Sequence, residues 1–146
     1  LFNTGSSYNN AGKFRQAIRY YLEAAAMLER MGRKKDLITV YDNIGGVFTN
    51  TGQYAKALNY NQKALQLARS VNDDLLLAKV LINAAITQGL VHQVDESRRN
   101  ATQGLRLSRK IGNAYLESIA LNTLADTDYQ EKQFESGLNR SMSALN

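Results

Sequence analysis

The sequence predicts an all-α fold, a solenoid of antiparallel helix pairs, on three observations. The first is composition: the 146 residues include no proline and no tryptophan, with 44% hydrophobic and 21% charged. Alanine, leucine, lysine, arginine and glutamine, which lose little side-chain freedom in a helix, recur throughout. The second is periodicity, because apolar residues return at i, i+3, i+4 and i+7 on both sides of short polar breaks. The third is an internal repeat, since a shift of 40 residues brings similar residues into register.

Three columns of that repeat are small: Gly5, Gly45, Ala85 and Ala125; Ala17, Ala57, Ser97 and Gly137; Ala24, Ala64, Gly104 and Ala144. They alternate with bulky columns, Phe14, Tyr54, Val94 and Phe134, then Leu65, Leu105 and Leu145. Closely packed helix axes lie about 8 to 10 Å apart, and the tightest crossings need Gly, Ala or Ser where one backbone passes another. The small columns mark those crossings, and the bulky column at the start of each second helix fills the wedge behind it.

Each unit therefore divides into a helix A and a helix B, giving four antiparallel pairs over residues 1–35, 36–74, 75–114 and 115–146. In the second unit, A is expected at about residues 36–51 and B at 54–70, with Gly52 and Gln53 turning between them. Gly12 holds the same place one unit earlier, where a left-handed residue ends a helix cheaply. His92 and Lys132 stand there in units three and four, so those turns are expected to be strained or differently shaped. The B helices end at Met31, Val71 and Ile111, each followed by a capping residue, Gly32, Asn72 or Gly112. Asn72, Asp73 and Asp74 favour the start of the next helix. The basic run Arg33, Lys34 and Lys35 falls where a solvated connector is expected. No flexible linker interrupts the pattern, so residues 1–146 read as a single domain.

Several function classes are disfavoured. No apolar run approaches the roughly 20 residues of a transmembrane helix, so no membrane contact is expected from this segment. With no cysteine and one histidine, His92 in a turn, neither a thiolate nor a paired-histidine metal site can form. Asp126 and Asp128 lie two apart on a helix and point apart, so they make no acid/base pair. Gly46 and Gly52 lack the strand and the Lys-Ser or Lys-Thr of a phosphate-binding loop. No enzyme and no cofactor is expected. The net charge of +5 permits nucleic-acid binding. Arg98, Arg99, Arg106, Arg109 and Lys110 on the third B helix are the residues that would serve it. Aromatic residues for base stacking are not interleaved with them, which disfavours that partner. Absence of cysteine suits either redox compartment. The cytoplasm is favoured, an extracytoplasmic sensor domain being the alternative.

The stretch Asn43-Ile44-Gly45-Gly46-Val47-Phe48, then Gly52-Gln53-Tyr54, Ala57 and Ala64-Leu65, resembles the tetratricopeptide repeat. Unit one carries the same pattern through Gly5, Tyr8, Gly12, Phe14, Ala17, Tyr21 and Ala24. Gln88 and Asp128 in helix A, and Asn61, Ala101 and Ser141 in helix B, stand where the family often has an aromatic. The 40-residue unit is longer than the common form and looks like the repeats of kinesin light chains and of bacterial peptide-sensing regulators and sensor kinases. The resemblance implies a right-handed superhelix, with a concave face lined mainly by the A helices that takes a protein or an extended peptide. It also implies a sensory or regulatory module of a larger bacterial signalling protein, a free-standing adaptor being the alternative.

By that resemblance, the peptide-binding groove comprises Asn3, Asn10, Thr39, Asp42, Asn43, Asn50, Lys79, Asn83, Ile86, Asn122, Asp126 and Tyr129, with Ile82, Leu90 and Gln130 among their inward neighbours. Asn3, Asn43 and Asn83 form a ladder of one amide per unit, broken by Thr123. An amide donates and accepts, so such a row can bond the backbone of an extended peptide. It can equally bond within or between helices. Both ends look cut inside helices, so the chain is expected to be a piece of a longer protein. Its open solenoid ends make self-association a further expectation.

Overall fold

A computed structural model describes residues 1–144, apart from the side chains of Ser141, Ser143 and Ala144; Leu145, the last member of its repeat column, lies outside the described residues. Seven helices account for the described chain: α1 (Phe2–Asn10), α2 (Phe14–Arg30), α3 (Lys34–Asn50), α4 (Tyr54–Arg69), α5 (Asp74–Leu90), α6 (Val94–Lys110) and α7 (Ala114–Ala144). α1, α3 and α5 are A helices, and α2, α4 and α6 are B helices. Each helix packs on the next, and α3 with α5 and α5 with α7 also touch, whereas the B helices share no comparable contact. The A helices therefore line the tighter, inner side of the solenoid. No helix among the described residues is long and apolar enough to cross a membrane.

The turns follow the sequence closely through three units. Gly12, Gly32, Gly52 and Gly112 all have φ between +65 and +73°. His92 adopts φ +60° at the same place, so the third A–B turn keeps its shape at a cost a glycine would not incur. In each A–B turn the third residue's N–H reaches back to a carbonyl of the last helical turn, as Lys13 does to Tyr8 (2.8 Å) and Gln93 to Gln88 (2.9 Å). Asn72 does not take the left-handed cap expected of it; α4 ends at Arg69, and Asp73 instead caps the next helix by accepting the Leu76 N–H at 3.0 Å. The basic run is not wholly a loop either. Lys34 and Lys35 form the first turn of α3, because the three-residue turn around Gly32 already reverses the chain, and Lys35 bonds Asp73 at 2.8 Å.

The fourth pair is where the expectation fails. α7 runs straight through Lys132 for 31 residues instead of breaking into two helices. Lysine is a good helix former with no advantage in the left-handed region, so nothing at this position stops the helix. Residues 133–144 consequently extend the A helix and do not fold back on it.

The small columns make the crossings expected of them in the first three units. Ala17, Ala57, Ala64, Ala85 and Ser97 are fully buried. A Cβ placed on Gly5 would come within 2.7 Å of the Tyr21 ring, and one on Gly104 within 2.7 Å of Ile82 Cγ1. Ala125 and Gly137, their counterparts in unit four, are exposed. The main core joins α1 to α5 around Tyr21, Ile38, Ile44 and Val80, and a second cluster around Leu81, Ile82, Leu107 and Leu116 ties α5 and α6 to α7.

Candidate functional site

The inner face is built by side chains one or two turns apart on α3, α5 and α7. Asn83 on α5 reaches across to α3 and donates its amide hydrogens to both oxygens of Asp42, at 3.0 and 2.9 Å. Burial raises the Asp42 carboxyl to about pH 6, against the lowering effect of the Asn83 hydrogen bonds and the charge of Lys79. Asn83 is thus engaged between helices, and its nitrogen already has an acceptor. Asn43, its neighbour in the ladder, is half-buried, while Asn3 is exposed.

A buried polar chain runs behind this pair. Asn61 on α4 donates to Thr87 Oγ1 at 2.8 Å; Thr87 lies 2.9 Å from Thr49 Oγ1 and donates to the Asn83 carbonyl at 3.1 Å. Asn61 is only 3% exposed and occupies the column in which unit one has Tyr21. The repeat often carries an aromatic at the position of Asn61. Asn61 is instead a polar strut, and the signal for it was an amide facing the Gly45 position of the neighbouring helix. Because every member is hydrogen-bonded, the network fixes the spacing of α3 and α5 and holds Asp42 and Asn83 in place.

Further along the inner face, Ile86, Leu90, Asp126, Tyr129 and Gln130 line a cavity of about 270 Å³ between α5 and α7. Gln130 donates to the Gly89 carbonyl at 3.1 Å, while its buried Oε1 finds no hydrogen-bond partner among the described residues. An orphaned buried acceptor is costly, which makes it a point where an incoming donor gains most. Ile86, Asp126 and Tyr129 of the expected groove therefore converge here, and Asp42, Lys79 and Asn83 converge one unit earlier.

The other expected residues are dispersed. Asn3 borders a separate hollow with Tyr8 and Lys13 at the α1 end. Asn10, Asn50 and Asn122 are exposed on helix flanks, and Thr39 turns its hydroxyl back to the Lys35 carbonyl at 3.2 Å. Ile82, also expected inward, is 1% exposed and packs under Gly104 of α6. A larger cavity of about 710 Å³ lies on the opposite side, between α4 and α6, lined by Asn61, Gln62, Gln66, Gln88, Asn100 and Gln103 among others. Its amides partly satisfy one another, as Asn100 does with Gln88 at 2.8 Å.

The basic residues of α6 are largely neutralised. Arg98 pairs with Asp128 and Glu131 at 2.9 and 2.8 Å, Arg99 with Glu96, Arg109 with Glu117 at 2.7 Å and Lys110 with Asp74 at 2.6 Å. A stripe whose cations mostly face carboxylates offers few charges to a phosphate backbone.

Comparison with known proteins agrees with this geometry. The chain is similar to Tonsoku-like protein of Drosophila melanogaster, 28% identical over 130 residues that make up 89% of this chain and 8% of that protein. It thus spans a small part of that relative's length. A profile described as tetratricopeptide repeat matches residues 36–110, just over half of the chain and the stretch from α3 through α6. Tetratricopeptide domains are in general non-catalytic scaffolds that bind proteins or peptides. With paired helices, glycine-reversed turns and small-residue crossings at a 40-residue period, the chain belongs to the tetratricopeptide repeat family.

Proposed function

We propose that residues 1–146 act as one binding module whose inner face, along α3, α5 and α7, takes an extended segment of a partner protein. The observation that carries this is the cavity between α5 and α7. Its apolar wall of Ile86 and Leu90 suits one side chain of the segment, and the buried Oε1 of Gln130 suits a backbone N–H beside it. Asp42, one unit earlier, adds a carboxylate that a basic group can neutralise. In a larger protein, occupancy of this groove would be relayed to an output domain. The resemblance to the longer repeats of bacterial regulators supports that role, and a full-length chain without any output domain would remove it.

The test is selection of binding peptides from a random library, followed by calorimetry on variants. Ile86→Asp and Gln130→Leu are each expected to weaken the selected peptide at least about tenfold, equivalent to roughly 1.4 kcal/mol. Asn43→Ala with Asn83→Ala reports whether the ladder contributes to binding or only to structure. Full affinity in both the Ile86 and Gln130 variants would overturn the reading.

A further inference from the structure

The 710 Å³ cleft between α4 and α6 takes no part in the inner groove, and its lining is set apart by its chemistry: seven of its thirteen residues are Asn or Gln. The repeat shows how it opened. One unit earlier, the positions of Gln88 and Asn100 hold Phe48 and Tyr60, whose rings pack with centroids 5.8 Å apart at the edge of the main core. In unit three amides stand in place of both rings, and Asn61 stands in the column of Tyr21. What remains is an apolar floor of Leu58, Leu65 and Ala84 between walls of carboxamides. Those amides are largely unengaged. Asn100 donates to Gln88 Oε1 at 2.8 Å, and neither side chain makes another hydrogen bond among the described residues, so the linked pair keeps one amide nitrogen and one amide oxygen to offer. Gln62, Gln66 and Gln103 make no side-chain hydrogen bond among the described residues either. Arg69 follows Gln62 and Gln66 at i+7 and i+3, on one face of α4 about 10 Å long. It pairs with no carboxylate among the described residues, whereas Arg99 on the α6 wall is engaged by Glu96 at 3.2 Å.

We propose that this cleft binds a purine mononucleotide, with the base on the apolar floor, its edge bonded by Gln88 and Asn100, and the phosphate at Arg69. A planar heterocycle suits a place where two rings have been lost. Its faces lie against Leu58, Leu65 and Ala84, and its edge alternates donors and acceptors, which a carboxamide matches in its own plane, as Asn and Gln do with adenine. The volume falls within the range of about 300 to 1,000 Å³ found for small-molecule sites. Arg69 supplies the counter-charge for one phosphate. A single contact of that kind does not hold a nucleic-acid chain, in keeping with the paired cations of α6. No residue of the inner groove lines this cleft, so the two sites stand or fall separately.

The side-chain NH2 signals of Asn and Gln report on the cleft directly. Adenosine 5′-monophosphate, titrated into the isotope-labelled protein up to about 5 mM, is expected to shift those of Gln62, Gln66, Gln88 and Asn100 to saturation. Adenosine should bind about tenfold more weakly, and ribose 5-phosphate at least about 100-fold more weakly. Arg69→Gln should bring the nucleotide down to the affinity of adenosine and leave adenosine itself unchanged. Gln88→Phe with Asn100→Tyr, which restores the residues of the preceding unit, should remove binding of both and keep the helix content by circular dichroism. Arg69 is exposed, so Arg69→Gln decides the question even where the double variant fails to fold. Four results would overturn the proposal: no shift of these signals at about 5 mM nucleotide, ribose 5-phosphate binding as well as the nucleotide, a nucleotide affinity unchanged by Arg69→Gln, or a folded double variant that still binds.

Discussion

Gly45 and Gly46 are adjacent in the middle of α3, and alanine at the two positions should shift stability in opposite directions. Either substitution removes a helix-interior glycine and gains up to about 1 kcal/mol of helix propensity. At Gly46 nothing lies within 4 Å of the added methyl, so the gain stands, and about 0.5 to 1 kcal/mol of stabilisation is expected. At Gly45 the methyl would collide with Asn61 Oδ1, with Asn61 Cγ at 3.3 Å and the Ala57 carbonyl at 3.6 Å behind it. Asn61 cannot retreat freely, because it is 3% exposed and tied to Thr87 at 2.8 Å. Overpacking costs about 1 to 3 kcal/mol, and displacing the amide from its buried bond adds about 1 to 3 more. After the propensity gain, Gly45→Ala should lose roughly 2 to 3 kcal/mol, some 5 to 10 °C in Tm for a chain of this size. Urea unfolding followed by circular dichroism reads both variants, and the Asn61→Ala background isolates the clash. There Gly45→Ala should cost at least about 1 kcal/mol less than in the wild type. Equal stability of the two single variants, or an unchanged penalty without Asn61, would refute the assignment of Asn61 as a fixed strut.

Asp42 gives a pH signature. Its folded pKa of about 6 lies above the ordinary carboxyl value of 3.8, so its ionisation opposes folding. Its contribution is fully present below pH 4 and lost as pH rises through 6, at most roughly 3 kcal/mol. Asp42→Asn should remove that slope, read as the difference between the two stability profiles from pH 4 to 7; parallel profiles would contradict it. Asp73, held below its ordinary range by its hydrogen bond with Lys35, works the other way and loses its contribution as pH falls, which is why the comparison with the variant is needed. His92→Gly should raise stability by about 1 kcal/mol by relieving the left-handed backbone at φ +60°, and a loss on thermal melting would contradict that. The paired cations of α6 predict no salt-sensitive binding to DNA or RNA; a steep fall in affinity between 50 and 200 mM salt, about 10³-fold or more, would reinstate that partner.

Much of the solenoid was legible because it is written in local chemistry. Small residues at a fixed period, glycines after the last apolar residue and the two-helix apolar rhythm each act within a few residues, and the turns at Gly12, Gly32, Gly52 and Gly112 follow them directly. The failure at Lys132 has the same root. The 40-residue register pointed to a turn, but a register is only a pattern, and the residue that had to adopt φ > 0 there was missing. His92 shows that a non-glycine can still turn when a well-packed B helix follows, whereas Phe134, Leu138 and Met142 beyond Lys132 are left exposed. The groove was legible as a face and not as a set of contacts. Asp42 and Asn83 stand 41 apart in the sequence and meet only because α3 and α5 stack, and the Asn61–Thr87–Thr49 chain behind them depends on three helices at once. Side-chain bonding between stacked helices is set by their separation, which composition and spacing do not encode.

The decisive measurement is amide-shift mapping of the isotope-labelled protein titrated with a library-selected peptide. Binding on the inner face predicts the largest shifts at Asp42, Lys79, Asn83, Ile86 and Gln130, with Gln62, Gln66 and Gln103 unmoved. Shifts concentrated on those three glutamines, in the cavity between α4 and α6, would contradict a groove on the inner face.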